Sequence, residues 1–266
     1  MLRLVPLPGV LLAALLLAAC SSGFQLQAYQ TNESLFAASL AEFQRGRWEN
    51  AIAGFERLTL QLPARDTLLP RAHWYLGVAH QRRDEDLLAA QSFVRLVEDF
   101  PADTLADDAL FEAASAYQRI WRKPELDSQY GETAIGTYQT LISAFPDSPR
   151  RADAEREIAR LLEWMAQKDY DTGLYYQRRR AFDSAIIYFQ DVVERYPDTP
   201  TARLSSLRLL EIYRRLSYRE EADETCAALR AKYPSDAEVR SACGAGPAAP
   251  TAPRAPPPDS TGAARR

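Results

Sequence analysis

Apolar and small residues recur along the chain in one fixed register. Phe-Pro or Tyr-Pro stands at Phe100-Pro101, Phe145-Pro146, Tyr196-Pro197 and Tyr233-Pro234, with Leu62-Pro63 as a weaker first copy. Twelve residues before each proline is an alanine: Ala51, Ala89, Ala134, Ala185 and Ala222. Eight before each is a bulky or semi-apolar residue: Phe55, Phe93, Tyr138, Phe189 and Cys226. Residues four apart share one face of a helix, and proline ends a helix because it lacks the N–H and clashes with the preceding turn. Twelve residues further back stand Ser39, Gly77, Gly173 and Leu210, with Ala114 taking this place in the third copy. Small side chains let two helix axes approach closely. The pattern predicts helical hairpins in which small residues meet at the crossing and the bulky residue fills the core between hairpins.

The turns agree with this reading. Asp103-Thr104, Asp147-Ser148 and Asp198-Thr199 each offer a hydroxyl as an N-cap, Pro149 and Pro200 suit a first helical position, and Thr104 with Asp107 forms a capping-box pattern. Helical pairs are expected over 33–63, 68–101, 105–146, 149–197 and 200–234. The third copy carries an eight-residue insert, about Arg122 to Gln129, whose Pro124 predicts a loop on one edge. In the fourth, Arg150 to Arg180 has no proline and a single glycine, so it reads as one long helix or two nearly continuous ones. The proline-to-proline intervals of 38, 45, 51 and 37 residues fall in the range of helical solenoids. The small residue on each helix, the aromatic and the terminal proline resemble the tetratricopeptide repeat. The expected fold is all-α: a right-handed superhelical solenoid of about five such repeats over 33–243, the third and fourth enlarged.

Composition narrows the function more than the fold. The chain has 266 residues, 47% hydrophobic and 26% charged, which excludes wholesale disorder. A net charge of -4 argues against a nucleic-acid partner, whose phosphates demand clustered positive charge. His73 and His80 lie about 10 Å apart along a helix, too far to share a metal ion. No motif of a hydrolase, metalloprotease or nucleotide-binding loop is present, so no enzyme activity and no metal or dissociable cofactor is expected. Beyond Cys243 the run 244–266 is rich in proline and alanine without apolar period, the composition of a disordered tail.

The chain opens with Arg3, an apolar stretch from Val10 to Leu17, and Leu17-Ala18-Ala19-Cys20-Ser21. The apolar stretch is too short to span a bilayer, which needs about 20 residues, so 1–19 reads as a cleaved signal peptide. Leu-Ala-Ala-Cys resembles the bacterial lipobox. That resemblance implies S-diacylglycerol and an N-acyl chain on Cys20, a lipidated linker over 20–32, and, with Ser21 following, passage to the outer membrane. Several acyl chains at about 0.8 kcal/mol per methylene hold a protein firmly on a membrane.

Lipobox, five repeats and insert together resemble the BamD, or competence lipoprotein, family of the outer-membrane β-barrel assembly (BAM) complex. The likeness is carried by Gly46-Arg47-Trp48-Glu49-Asn50-Ala51-Ile52, by Leu126-Asp127-Ser128-Gln129, and by Tyr175-Tyr176 through Ala185-Ile186 to Tyr196-Pro197-Asp198-Thr199-Pro200. It implies a non-enzymatic adaptor, lipid-anchored in the outer membrane and facing the periplasm. Its carboxy-terminal repeats would hold the BamA periplasmic domain and other assembly lipoproteins. Its amino-terminal repeats would receive the carboxy-terminal segment of unfolded outer-membrane β-barrel proteins. Counted from the register, the exposed positions of the groove are Phe36, Phe43 and Gln44 in the first repeat, Arg71, Trp74, Val78, Gln81 and Arg82 in the second, and Phe111, Gln118 and Arg119 in the third. Aromatics beside arginines suit a peptide ending in an aromatic residue and a free carboxylate; the same rings could equally serve as inter-repeat core. Tyr188, Arg195 and Arg219 fall in the repeats expected to contact BamA. The rival reading is a periplasmic tetratricopeptide lipoprotein serving peptidoglycan hydrolases or cell-division proteins. Cys226 and Cys243, 17 apart, could form a disulfide in an oxidising compartment, or Cys226 could be a buried free thiol.

Overall fold

A computed structural model describes residues 24–124 and 126–244. The expected signal peptide, the expected lipidation site Cys20 and the tail beyond Gly244 lie outside the described residues. All regular structure among the described residues is helical, of the tetratricopeptide type: antiparallel helical hairpins. The helices are α1 (Asn32–Gln44), α2 (Trp48–Gln61), α3 (Leu69–Gln81), α4 (Asp86–Asp99), α5 (Ala106–Ile120), α6 (Gln129–Ala144), α7 (Arg151–Arg178), α8 (Phe182–Arg195), α9 (Pro200–Leu216), α10 (Arg219–Lys232) and α11 (Ala237–Cys243). The described residues form two compact units, divided between Ile158 and Ala159.

In the first unit three hairpins, α1–α2, α3–α4 and α5–α6, share two apolar clusters. One is built on Leu35, Phe36, Ala51, Phe55, Leu58 and Leu76; the next is built on Ala89, Phe93, Leu96, Ala106, Ala109 and Ala113. A short 3-10 turn, Leu26–Ala28, brings Phe24, Leu26 and Tyr29 against the first cluster and covers its open end. The register alanines Ala51, Ala89 and Ala134 are fully buried. The partner at the crossing differs from the expectation, however. Gly77 faces the ring of Phe93 in its own hairpin, and in the first hairpin it is Gly54, not Ala51, that meets Ser39. In the second hairpin, glycine on the first helix therefore makes room for the aromatic of the second. The insert after α5 is a loop anchored by Trp121, 1% exposed, whose ring lies over Gly131 of α6.

In the second unit the greater part of α7, a single continuous helix, packs with α8, and α9 packs with α10. Gly173 and Phe189 repeat the glycine–aromatic contact. Cys226 of α10 is bonded to Cys243 of α11, with Cα atoms 5.4 Å apart. The terminal helix is thereby stapled to the last hairpin.

Caps and turns follow local chemistry. Thr31 forms a capping box with Ser34, Thr199 accepts from Ala202 N–H at 3.2 Å with Pro200 behind it, and Ser148 accepts from Arg150 N–H at 3.1 Å. Thr104 does not cap α5. Asp103 accepts from Leu105 N–H instead, at 2.9 Å, and Asp107 takes the Ser148 hydroxyl at 2.6 Å, so the expected box is absent. Four hairpin turns share one geometry, in which a residue with positive φ follows the first helix: Gly46 (72°), Asp84 (59°), Arg180 (61°) and Ser217 (63°). In each, the next N–H bonds back five residues, Arg47 to Glu42, Glu85 to His80, Ala181 to Tyr176 and Tyr218 to Tyr213, at 2.8–3.1 Å. This is the Schellman closure, whose left-handed position favours glycine.

Candidate peptide groove

The first helix of each hairpin in the first unit presents one face built from α1, α3 and α5. Aromatic side chains on it are tied into the core more deeply than their register suggests. Phe36 is buried, at 5% exposure, with edge contacts to Phe55 (5.6 Å) and Tyr75 (6.2 Å). The expectation that Phe36 is exposed is corrected, because α3 brings Tyr75 across it. Phe43 is half-buried between Trp48 and Tyr75, both at 5.2 Å. Trp74 rests on Phe93 (5.4 Å) with Val78 beside it in the second cluster. Phe111 packs on Tyr138 (5.4 Å), with Arg150 over its ring at 5.2 Å.

Polar residues run across these helices as a ladder. Gln81 of α3 donates to Glu112 of α5 at 2.8 Å, and Gln118 of α5 donates to Glu157 of α7 at 2.9 Å while accepting the Tyr138 hydroxyl at 3.1 Å. Glu112, Glu157 and Tyr75 also belong to this face: the acids lie outside a pattern of aromatic and cationic anchors, and Tyr75 lies off the register positions of the groove. Gln44 and Arg82 are exposed. Arg119 sits at the turn edge on Asp86, 2.6 Å away, and is not free to take a ligand.

Arg71 stands apart. It is exposed, its guanidinium lies 5.0 Å above the Phe36 ring, and among the described residues no carboxylate pairs with it or with Arg82. A guanidinium held on an aromatic face keeps its planar fork oriented, which suits bidentate capture of a carboxylate. The half-buried edges of Phe43, Tyr75 and Trp74 offer adjacent apolar contact.

The remaining sequence-selected residues lie in the second unit. Tyr188 stacks on Tyr176 at 5.4 Å, Arg195 lies over Tyr196 and 3.5 Å from Asp169, and Arg219 is exposed at the start of α10. They do not form one cluster. The two histidines serve structure: His80 contacts Glu85 at 2.7 Å, and His73 is buried, its pKa pushed down by desolvation. Among the described residues no group of three metal-binding side chains occurs, and no helix is long and apolar enough to cross a membrane.

A family model described as outer membrane lipoprotein, YfiO, matches residues 28–229. Among curated proteins, the outer membrane protein assembly factor BamD of Vibrio cholerae is 26% identical over 225 residues, covering 81% of this chain and 93% of its own. The protein of the same name from Caulobacter vibrioides is 24% identical over 237 residues, 86% of this chain and 77% of its own. That of Neisseria meningitidis is 24% identical over 216 residues, 76% and 79%.

Proposed function

The chain belongs to the YfiO family of outer membrane lipoproteins, and from that premise we propose that it is a non-enzymatic component of the β-barrel assembly machinery. It is anchored in the outer membrane by acyl chains on Cys20 and faces the periplasm. The first unit receives the carboxy-terminal segment of unfolded barrel proteins; the second holds the BamA periplasmic domain and companion lipoproteins through a surface that includes Tyr188, Arg195 and Arg219. The observation that carries the reading is the match over nearly the whole folded body to relatives named as assembly factors. The chemistry of the first unit supports the substrate step. Arg71, unpaired and stacked on Phe36, takes the terminal carboxylate, and the ring edges beside it take an aromatic side chain.

Pull-down of the lipidated protein from outer membranes tests the reading: a large β-barrel protein is expected, and recovery of wall hydrolases in its place would overturn it. For the substrate step, Arg71→Ala removes a charge-assisted bond of about 1.5–3 kcal/mol, so a barrel-derived terminal peptide should bind about tenfold or more weakly. Amidating that peptide should have a like effect on the wild type and little further effect on the variant. Equal affinity across all four combinations refutes the assignment.

A further inference from the structure

Arginines end the first helices in both units, where the helix dipole favours a cation. In the first unit carboxylates hold several of them: Arg45 and Arg47 share Glu42, Arg83 lies on Glu49 and Glu85, and Arg119 lies on Asp86. The second unit is different. Arg178, Arg179 and Arg180 close α7, and Arg214, Arg215 and Arg219 flank the turn from α9 to α10; all six are exposed, and none has an ion pair among the described residues. Asp183 stands in the first turn of α8 and Glu220 and Glu221 in that of α10, where the dipole of opposite sign holds them, with Asp223 and Glu224 on the next turn of α10.

Because α7 and α9 run in the same direction, their ends share one edge of the unit. Arg215 joins the two turns there, its guanidinium 5.1 Å over the ring of Phe182 at the start of α8. Arg179 is stacked likewise on Tyr175 at 4.1 Å. Arg214, Ser217, Tyr218, Arg219, Ala222 and Asp223 line a depression of about 400 Å³. Tyr218 is 43% exposed. The cations are all arginine, and two of them are oriented on rings. A diffuse anionic surface makes no such demand and would be served as well by lysine, whereas a carboxylate gains from a fixed planar fork. Exposed tyrosine beside arginine is also the composition of protein-interface hot spots.

We infer that this edge is a docking surface for an acidic segment of a partner protein. Its carboxylates pair with Arg214 and Arg219, and an adjacent apolar side chain rests on Tyr218 in the depression. The inference deepens the reading of the second unit as the half that holds partners, and rests on that reading for a protein being the occupant.

The test uses the full mature chain and a labelled peptide with one leucine between runs of glutamate, its glutamine counterpart, and vesicles of phosphatidylglycerol and phosphatidylethanolamine. The wild type should prefer the acidic peptide, with affinity falling steeply as salt is added. Arg214→Gln with Arg219→Gln, and separately Arg178→Gln with Arg180→Gln, should weaken binding about tenfold and several-fold respectively, while Arg57→Gln in the first unit should not. Far-UV circular dichroism confirms that the exposed substitutions leave the fold intact. Equal peptide affinity in wild type and both double variants overturns the proposal, as does binding to vesicles with no preference for the acidic peptide. If the membrane pull-down recovers no barrel protein while the arginine-dependent peptide binding stands, the docking surface survives and the partner assignment falls. If wild type and both double variants recover the barrel protein equally, the docking surface falls and the assignment survives.

Discussion

Substituting alanine for glycine at two helical positions should move stability in opposite directions. A Cβ built on Gly77 of α3 lies 2.7 Å from Cε1 and Cζ of Phe93 and 2.9 Å from Cδ1. Carbon atoms in contact sit about 3.5–4.0 Å apart, so the ring has to retreat by about 1 Å. Phe93 is 0% exposed and edged by Trp74 at 5.4 Å, which leaves it nowhere to go. Overpacking of this kind costs about 1–3 kcal/mol, against which the higher helix propensity of alanine returns about 1 kcal/mol. Gly77→Ala should therefore lose up to about 2 kcal/mol. Gly136 of α6 has nothing within 4 Å of its built Cβ and is exposed, so only the propensity gain applies and Gly136→Ala should gain about 0.5–1 kcal/mol. Equilibrium urea unfolding followed by circular dichroism reads both, provided the slope m is unchanged. Shortening the opposing ring should relieve the first variant: Phe93→Leu ought to cost less in the Gly77→Ala background than in the wild type. Gly77→Ala more stable than the wild type, or a Phe93→Leu cost that is the same in both backgrounds, would refute the packing argument.

Three further outcomes follow from local structure. Thr199→Ala removes the side-chain cap of α9 and should lower stability by about 1 kcal/mol in the same urea assay, with Thr199→Ser close to neutral. The bond between Cys226 and Cys243 closes a loop of about 17 residues, a constraint of about 3 kcal/mol in the chain-entropy model. Cys243→Ser should speed amide exchange over Ala237–Cys243, and a thiol titration of the denatured, unreduced wild type that finds both thiols free would refute the bridge. Glu42 accepts from Asn50 at 2.6 Å, with Arg45 and Arg47 assisting, and this holds its carboxyl below the usual 4.5. A depressed folded value means the stabilisation is present above pH 4.5 and lost as pH falls through the folded value. Melting temperature should accordingly fall less between pH 4.5 and 3 in Glu42→Gln than in the wild type, and equal slopes would contradict the coupling.

The repeat register was legible because each of its elements has one physical meaning: proline stops a helix, and a buried alanine or aromatic marks the packed face. Each register proline stands two residues beyond the end of a hairpin's second helix. What the register leaves open is which neighbour covers a residue. Phe36 reads as groove-facing until Tyr75, 39 positions away, is laid across it. Gly77 reads as half of a small-to-small crossing until the ring of Phe93 is found on it. Thr104 has the spacing of a cap, yet Asp103, one residue earlier, closes the turn first. The arginine ends of the second unit are visible as letters. Their lack of carboxylate partners is not, because the first unit carries similar arginines and neutralises several of them through residues as far as 34 positions distant.

The left-handed turn residues carry an implication for how the chain can change. One turn spends glycine where the backbone asks for it; Asp84, Arg180 and Ser217 occupy the same conformation with a Cβ, which costs roughly 1 kcal/mol at each non-glycine residue. Glycine at these three positions would be a reservoir of thermal tolerance, reachable by single substitutions without touching the core. Asp84→Gly draws on it freely. Arg180→Gly does not, since the same substitution would strip a cation from the exposed edge, so at that turn robustness and partner recognition compete for one residue.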